Sequence, residues 1–222
     1  MHSDNFTPYN PIQKTTQEVE HAAKAYRSEI EKRRSVRFFS DKPVTRETIE
    51  NIIMAASSAP SGAHKQPWTF AAISNSELKA QIREAAEKEE YTNYHGRMSE
   101  DWLEDLKKFD TNWVKEFITT APWIIVLFKK AYDVSETGDK EKNYYVNESV
   151  GIAAGFFISA LHHAGLVTLT HTPSPMNFLE KILKRPKNER AFLLLPVGYP
   201  AEGAVVPVLE RKGPEQVISY YE

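Results

Sequence analysis

Residues 123–128 read Trp-Ile-Ile-Val-Leu-Phe, an unbroken apolar run of strand length. A strand with one wet face alternates apolar and polar side chains. A run without alternation is expected where both faces of a sheet are covered. Working outward, Trp68 to Ile73 (WTFAAI), Leu166 to Thr170 and Ala191 to Val197 complete the strand candidates. Between them the apolar period changes to that of helices. A polar, Pro-containing lead over 1–17 precedes a helix at about 18–31. Thr45 caps a second helix with Glu47 in its first turn and a buried face of Ile49, Ile52, Ile53 and Ala56. Further helices are expected over 76–90, along the stripe Trp102, Leu106, Phe109, Trp113 and Phe117, over 146–164, and at about 176–184. The 146–164 stretch is apolar nearly all round, as in a central buried helix that stops at Gly165. Helices and strands interleave with no internal repeat, so the class is α/β or α+β in one domain. The tail from Tyr199 carries Pro200, Pro207 and Pro214 and is expected to stay extended, wrapping its own core or a partner subunit.

The chain has 222 residues, enough for one substantial core or two small ones. A net charge of −2 argues against a nucleic-acid partner, which asks for a basic excess. Cysteine is absent, which removes disulfide scaffolds, zinc-thiolate sites, iron–sulfur clusters and thiol redox chemistry. No apolar run approaches the roughly 20 residues that span a bilayer, and the N-terminus is polar, so the expected setting is the cytoplasm, without a membrane partner.

Several motifs are informative. Arg33, Arg34 and Arg37 place three guanidinium groups within five residues, a geometry suited to phosphate oxygens or equally to a solvated face. Ser61-Gly62 forms a turn after the second helix that can offer backbone N–H groups and a hydroxyl. Thr168, Thr170 and Thr172 fit strand propensity, but Pro173 ends the strand and leaves donors at its tip. Between Glu87 and Lys115, carboxylate, phenol and ammonium side chains crowd together, with Glu89-Glu90-Tyr91-Thr92-Asn93-Tyr94 followed by Thr111-Asn112-Trp113-Val114-Lys115. Those groups are what a zwitterionic amino acid needs, Glu for its ammonium, Lys and Tyr for its carboxylate; the plain alternative is a solvated helix pair. Neither GxGxxG nor a P-loop is present. Gly151 and Gly155 read as close helix packing. His162 and His163 are adjacent and cannot face one metal from a helix, so no metal site is expected.

Taken together, RRSVRFFS at 33–40, APSGAHKQPWTF at 59–70, EEYTNY at 89–94, TNWVKEF at 111–117, AGLVTLTHTP at 164–173 and LLPVGYP at 194–200 resemble the iodotyrosine deiodinase branch of the nitroreductase-like flavoproteins. The resemblance runs from about Glu31 to Val217. The EExxNY and TNWxKE elements separate that branch from general nitroreductases. It implies an α+β nitroreductase-like fold, a central mostly antiparallel sheet flanked by helices, in an intertwined homodimer with exchanged C-terminal arms. Residues 1–30 would be a lead and helix, 31–198 the FMN domain with an active-site lid at 87–115, and 199–222 the arm on the partner subunit.

By match of position, Arg33, Arg34, Ser35, Val36 and Arg37 would line the FMN site, with Arg211 reaching the phosphate from the arm. Ser61 and Gly62 would touch the flavin from across the interface, and Ala63 would offer its N–H to a substrate phenolate. Glu90, Tyr94 and Lys115 would clamp the zwitterion, and Thr170, His171 and Thr172 would sit near flavin N5, Thr172 favouring stepwise electron transfer. His171 stands where the animal proteins have Thr. The implied reaction is reductive dehalogenation of a halotyrosine, iodotyrosine first, with room for a separate electron donor. The alternatives are a general NAD(P)H-dependent nitroreductase and a non-enzymatic halotyrosine- or flavin-binding module.

Overall fold

The computed structural model describes residues 6–222; the first five residues of the expected lead lie outside it. The described backbone divides into two compact units, one ending at Arg33 and the other spanning Arg34–Glu222. In the first, residues 6–15 carry no regular structure and helix α1 spans Thr16–Ile30. Its start is fixed by a capping box: Thr15 Oγ1 accepts from Glu18 N, and Glu18 returns a carboxylate to Thr15 N at 2.8 Å.

The second unit is built on a four-stranded antiparallel sheet ordered β1 (Trp68–Ile73), β2 (Trp123–Lys130), β6 (Glu189–Gly198) and β5 (Val167–Thr168). The run at 123–128 behaves as its lack of alternation predicts. Ile125 and Leu127 face one core layer, with Leu195 and Val197, α2 (Arg46–Ser57) and α6 (Val146–His163). Ile124, Val126 and Phe128 face the other, with Leu194, α3 (Ser76–Thr92), α5 (Phe117–Thr120) and α7 (Asn177–Ile182). All five of those β2 residues have no exposed surface. Truncating any of them to Ala would cost roughly 2–5 kcal/mol.

Four expectations need correction. The strand read over 166–170 is shorter: after Val167–Thr168 the chain meets β6 again only through the isolated His171–Leu194 bridge. The stripe from Trp102 to Phe117 is not one helix. Helix α4 covers Glu100–Lys107, Asp110 then adopts a left-handed φ of 45°, and Asn112 Oδ1 accepts from Val114 N in a local turn. The tail contains a one-turn helix, α8 (Pro214–Val217), because Pro214 suits a first helical position and Gln216 Oε1 accepts from Gly213 N at 3.0 Å. Helix α6 is buried along Val150, Ala153, Ala154, Phe157 and Leu161, yet Ile152 and Phe156 on its other side are 42% and 43% exposed. Gly151 and Gly155 share that open side, where an added Cβ would meet nothing within 4 Å.

The sequence reading also missed a hairpin, β3 (Tyr132–Val134) with β4 (Lys140–Lys142), turned at Gly138. Among the described residues no helix is long and apolar enough to cross a membrane.

Candidate active site

Helix α3 begins at the Asn75 cap, whose Oδ1 accepts from Leu78 N at 2.8 Å, and runs on through Thr92. A π-helical turn over Asn93–Arg97 extends it. The buried Asn93 anchors that turn by donating its side-chain N–H to the Ser174 carbonyl at 2.9 Å. Glu90 and Tyr94, four residues apart, therefore look into one cleft, the spacing that puts side chains on a common helix face. Lys115 enters from the irregular segment after α4, and Thr170, His171 and Thr172 from the strand end beyond β5. With Arg37 they line a cavity of ≈ 230 Å³.

The charges are tightly placed. Lys115 Nζ lies 3.3 Å from Glu90 Oε2, with side chains only 5% and 9% exposed. The same ammonium donates to the Asn112 carbonyl and sits 5.5 Å from the Tyr94 ring centre. Tyr94 O–H donates to the Thr111 carbonyl at 3.4 Å. Burial pushes the Glu90 carboxyl above the ordinary range, and Lys115 opposes that rise. Burial likewise lowers Lys115, with Glu90 pulling it back, and raises the Tyr94 phenol.

His171 is pushed down to about 3, first by burial and then by the Lys115 and Arg37 charges, so its ring is neutral. Its Nε2 is buried with no hydrogen-bond partner. Arg37 is half-buried, and burial lowers its guanidinium. Around the cavity two cations face one carboxylate, leaving a positive excess.

The other expected residues lie elsewhere. Arg33 closes the first unit, its N–H donating to the Ile30 carbonyl at 3.1 Å. In the second unit, Arg34 donates to the Pro207 carbonyl of the tail. Ser35 pairs with Thr168, and the buried Val36 donates its N–H to the Thr168 carbonyl at 3.2 Å. Ser61, Gly62 and Ala63 sit beside the start of α6: Gly62 N donates to Ser149 Oγ at 3.3 Å, and Ser61 Oγ accepts from Gln66 N at 2.9 Å. Ala63, His64 and Gln66 all adopt left-handed φ values, of 49°, 53° and 46°. Such backbone is costly for residues with a Cβ and concentrates at ligand sites. The turn's bonds run from His64 N to Ser61 O and from Lys65 N to Gly62 O, leaving the Ala63 N–H outside both. Arg211 is an exposed residue of the tail.

One chain thus gathers Arg37, Glu90, Tyr94, Lys115, Thr170, His171 and Thr172, and leaves the 61–63 turn and Arg211 out of the cavity lining. Sequence reasoning missed part of the wall. Met98, Trp102, Leu106, Phe117 and Leu169 also line it. Trp102 and Leu106 carried a signal, their four-residue spacing, which marks a helical stripe without saying what the stripe faces.

Residues 30–199 match the family described as "Nitroreductase family". The chain belongs to that family. Within it the chain falls among the iodotyrosine deiodinases. It is 58% identical to the iodotyrosine deiodinase of Haliscomenobacter hydrossis over 97% of each chain. It is 46% identical to that of Danio rerio, over 92% of this chain and 70% of the relative. A crystal structure of an oxidized iodotyrosine deiodinase bound to FMN and 3-iodo-L-tyrosine superposes with a TM-score of 0.75 at 28% identity, over 89% of this chain and 98% of that one. The fold extends to more distant members, among them a BluB-like flavoprotein from Clostridium difficile at a TM-score of 0.67 and 22% identity.

Proposed function

We propose that this chain is an FMN-dependent reductive dehalogenase that converts 3-iodo-L-tyrosine to L-tyrosine and iodide in the cytoplasm. The observation that carries the reading is the buried pair of Glu90 and Lys115, with Tyr94 beside it, in the same cleft as Arg37 and the 170–172 segment. A free amino acid brings an ammonium and a carboxylate. Glu90 takes the first, Lys115 and the Tyr94 hydroxyl the second, so two desolvated charges exchange one partner for another instead of being stranded. That exchange spends binding energy on a part of the substrate remote from the reacting carbon and uses it to orient the phenol.

FMN fits this cleft on two counts. A buried imidazole nitrogen without a partner can bond a polar ring edge, and the excess of cation over carboxylate suits a ring that gains negative charge on reduction. Arg34, Ser35, Val36, Arg37, Thr170, His171 and Thr172 would hold it, with Arg33 beside them in the chain. When bound, FMN supplies the two electrons that, with one proton, replace the carbon–iodine bond by carbon–hydrogen and release iodide. The strained Ala63 leaves its N–H available to a phenolate, favouring the form that takes a proton at the iodine-bearing carbon.

The protein would act as a homodimer with exchanged arms. The open side of α6 offers Ile152, Phe156 and two glycines to a second copy. Ser61, Gly62 and Arg211 would then complete the cleft from the neighbouring protomer. In that arrangement 31–198 is the FMN domain, 87–115 a lid that orders over the ligand, and 199–222 the arm, whose Val205 and Val208 are 66% and 97% exposed in one chain. A separate reductase would deliver electrons to the flavin.

The test is anaerobic dithionite reduction of the purified yellow protein with iodo-, bromo- and chlorotyrosine. Stoichiometric tyrosine and halide are expected. Rapid NADPH oxidation with nitroaromatics and no halide release would make it a general nitroreductase instead. Tight halotyrosine binding without turnover would make it a binding module.

A further inference from the structure

One face of α3 carries more than the clamp. Lys79, Arg83, Glu87 and Glu90 recur at helical spacing, and each holds the 111–121 segment. Lys79 Nζ donates to the Thr119 and Ala121 carbonyls at 3.1 and 2.8 Å. Arg83 Nη1 donates to Thr119 Oγ1 at 3.0 Å. Glu87 Oε1 accepts two bonds of 2.7 Å, one from Arg83 Nε and one from the backbone N–H of Lys115. The Arg83 and Glu87 side chains are 29% and 18% exposed, so this contact is sheltered from solvent screening.

Resting on the proposed function, we propose that Glu87, oriented by Arg83, is a positioning residue that fixes Lys115 for the carboxylate of an amino-acid substrate. The need for one follows from the backbone. Lys115 stands between an irregular stretch, with left-handed Asp110 and the Asn112 turn, and the one-turn helix α5, whose Ile118 N–H donates to the Lys115 carbonyl at 3.1 Å, so no long element of its own fixes its main chain. The Glu87 bond ties its main chain directly to the helix that bears Glu90, and so sets the separation between the two poles of the clamp. The bond is made to the backbone, so it leaves the Lys115 side chain free to change partners. The negative charge of Glu87 also helps keep the Lys115 ammonium protonated against its burial.

The role predicts a selective defect. A ligand with both charged groups depends on the separation Glu87 sets, whereas a halophenol that lacks them does not. The experiment uses FMN-loaded dimer and titrates 3-iodo-L-tyrosine and 2-iodophenol by flavin fluorescence, for the parent, Glu87→Gln and Glu87→Ala. The expected result is about a tenfold rise in Kd for iodotyrosine in Glu87→Gln and more in Glu87→Ala. The Kd for iodophenol should stay within about twofold, FMN content should be unchanged, and the turnover loss should lie mainly in KM. Arg83→Gln keeps the carboxylate but frees it, and should give the same selectivity loss in weaker form, which guards against a folding defect in the Glu87 variants. Equal loss for both ligands, or no loss for either, overturns the positioning role while leaving the function intact. A parent protein that binds iodotyrosine no better than iodophenol overturns the clamp, and Glu87's role with it.

Discussion

Glu90 Oε2 and Lys115 Nζ stand 3.3 Å apart in the wall of the cleft, each side chain less than a tenth exposed. A buried ion pair is weak evidence for stability, because desolvating two charges consumes most of what their attraction returns. Replacing such a pair by apolar residues is often neutral or favourable. Here the pair sits beside Tyr94 and a neutral histidine in a cavity of ligand size, and two poles held at fixed separation are more useful for recognising a zwitterion than for holding a fold.

Lys115→Ala should therefore weaken iodotyrosine binding by about 100-fold, equivalent to roughly 2.8 kcal/mol. It removes the proposed partner of the substrate carboxylate and leaves Glu90 buried without its ion-pair partner. Flavin-fluorescence titration reads this directly. In a double-mutant cycle Lys115→Met with Glu90→Gln should lose less than the sum of the single losses, since each single change strands a charge. Unchanged affinity in Lys115→Ala would remove the residue from the clamp.

The same burial sets a pH range for binding. Glu90 titrates above an ordinary carboxylate and Lys115 below an ordinary lysine. On acidification Glu90 takes up a proton and loses the substrate ammonium sooner than an exposed Glu would. On alkalinisation Lys115 gives up its proton and loses the carboxylate sooner than an exposed Lys would. Affinity for iodotyrosine should fall on both sides of a plateau, and Glu90→Gln should abolish the acid limb. A profile following only the free amino acid's own ionisation would contradict this.

Sequence patterns expose what repeats or what bears charge. The 123–128 run announced a strand covered on both faces, whereas the carboxylate, phenol and ammonium groups over 87–115 suited either a zwitterion or a solvated helix pair, and only the family resemblance singled out Glu90, Tyr94 and Lys115. Other features leave weaker traces. The apolar period from Trp102 to Phe117 continues across a helix break, because the break is made by a left-handed Asp110 and an Asn112 turn that do not disturb the spacing of apolar residues. The β3–β4 hairpin is formed largely by charged residues and offers no alternating apolar face to read. Helix α6 looked buried all round because its second apolar side, with Ile152 and Phe156, is indistinguishable in sequence from a core face. Glu87 was invisible as well, since a carboxylate that accepts a backbone N–H depends on where the chain folds back.

His171 makes stability depend on pH. Its native pKa is about 3, against roughly 6.5 for an unfolded histidine. Between these values the unfolded chain holds a proton that the native ring refuses, so acidification favours unfolding; above the unfolded value this contribution is complete. About 2 kcal/mol of the stability at pH 7.5 should be lost by pH 5 through this group. Urea midpoints measured across that range should drop less steeply in His171→Thr than in the parent. Parallel slopes would show that the ring is not held neutral by the fold.

Gly155→Leu separates the chain's own packing from its assembly. Within one chain a Cβ at this position meets nothing within 4 Å, and the residue lies in the middle of an 18-residue helix. Leucine is a better helix former than glycine by roughly 0.5–1 kcal/mol, so the isolated fold should tolerate the change or gain from it. If the α6 face packs against a second copy, the new side chain collides there instead. Sedimentation velocity should show a shift from dimer to monomer, with far-UV circular dichroism retained and bound FMN lost, because Ser61, Gly62 and Arg211 then no longer reach the cleft. A dimer that keeps its flavin with leucine at this position would exclude the α6 face from the interface.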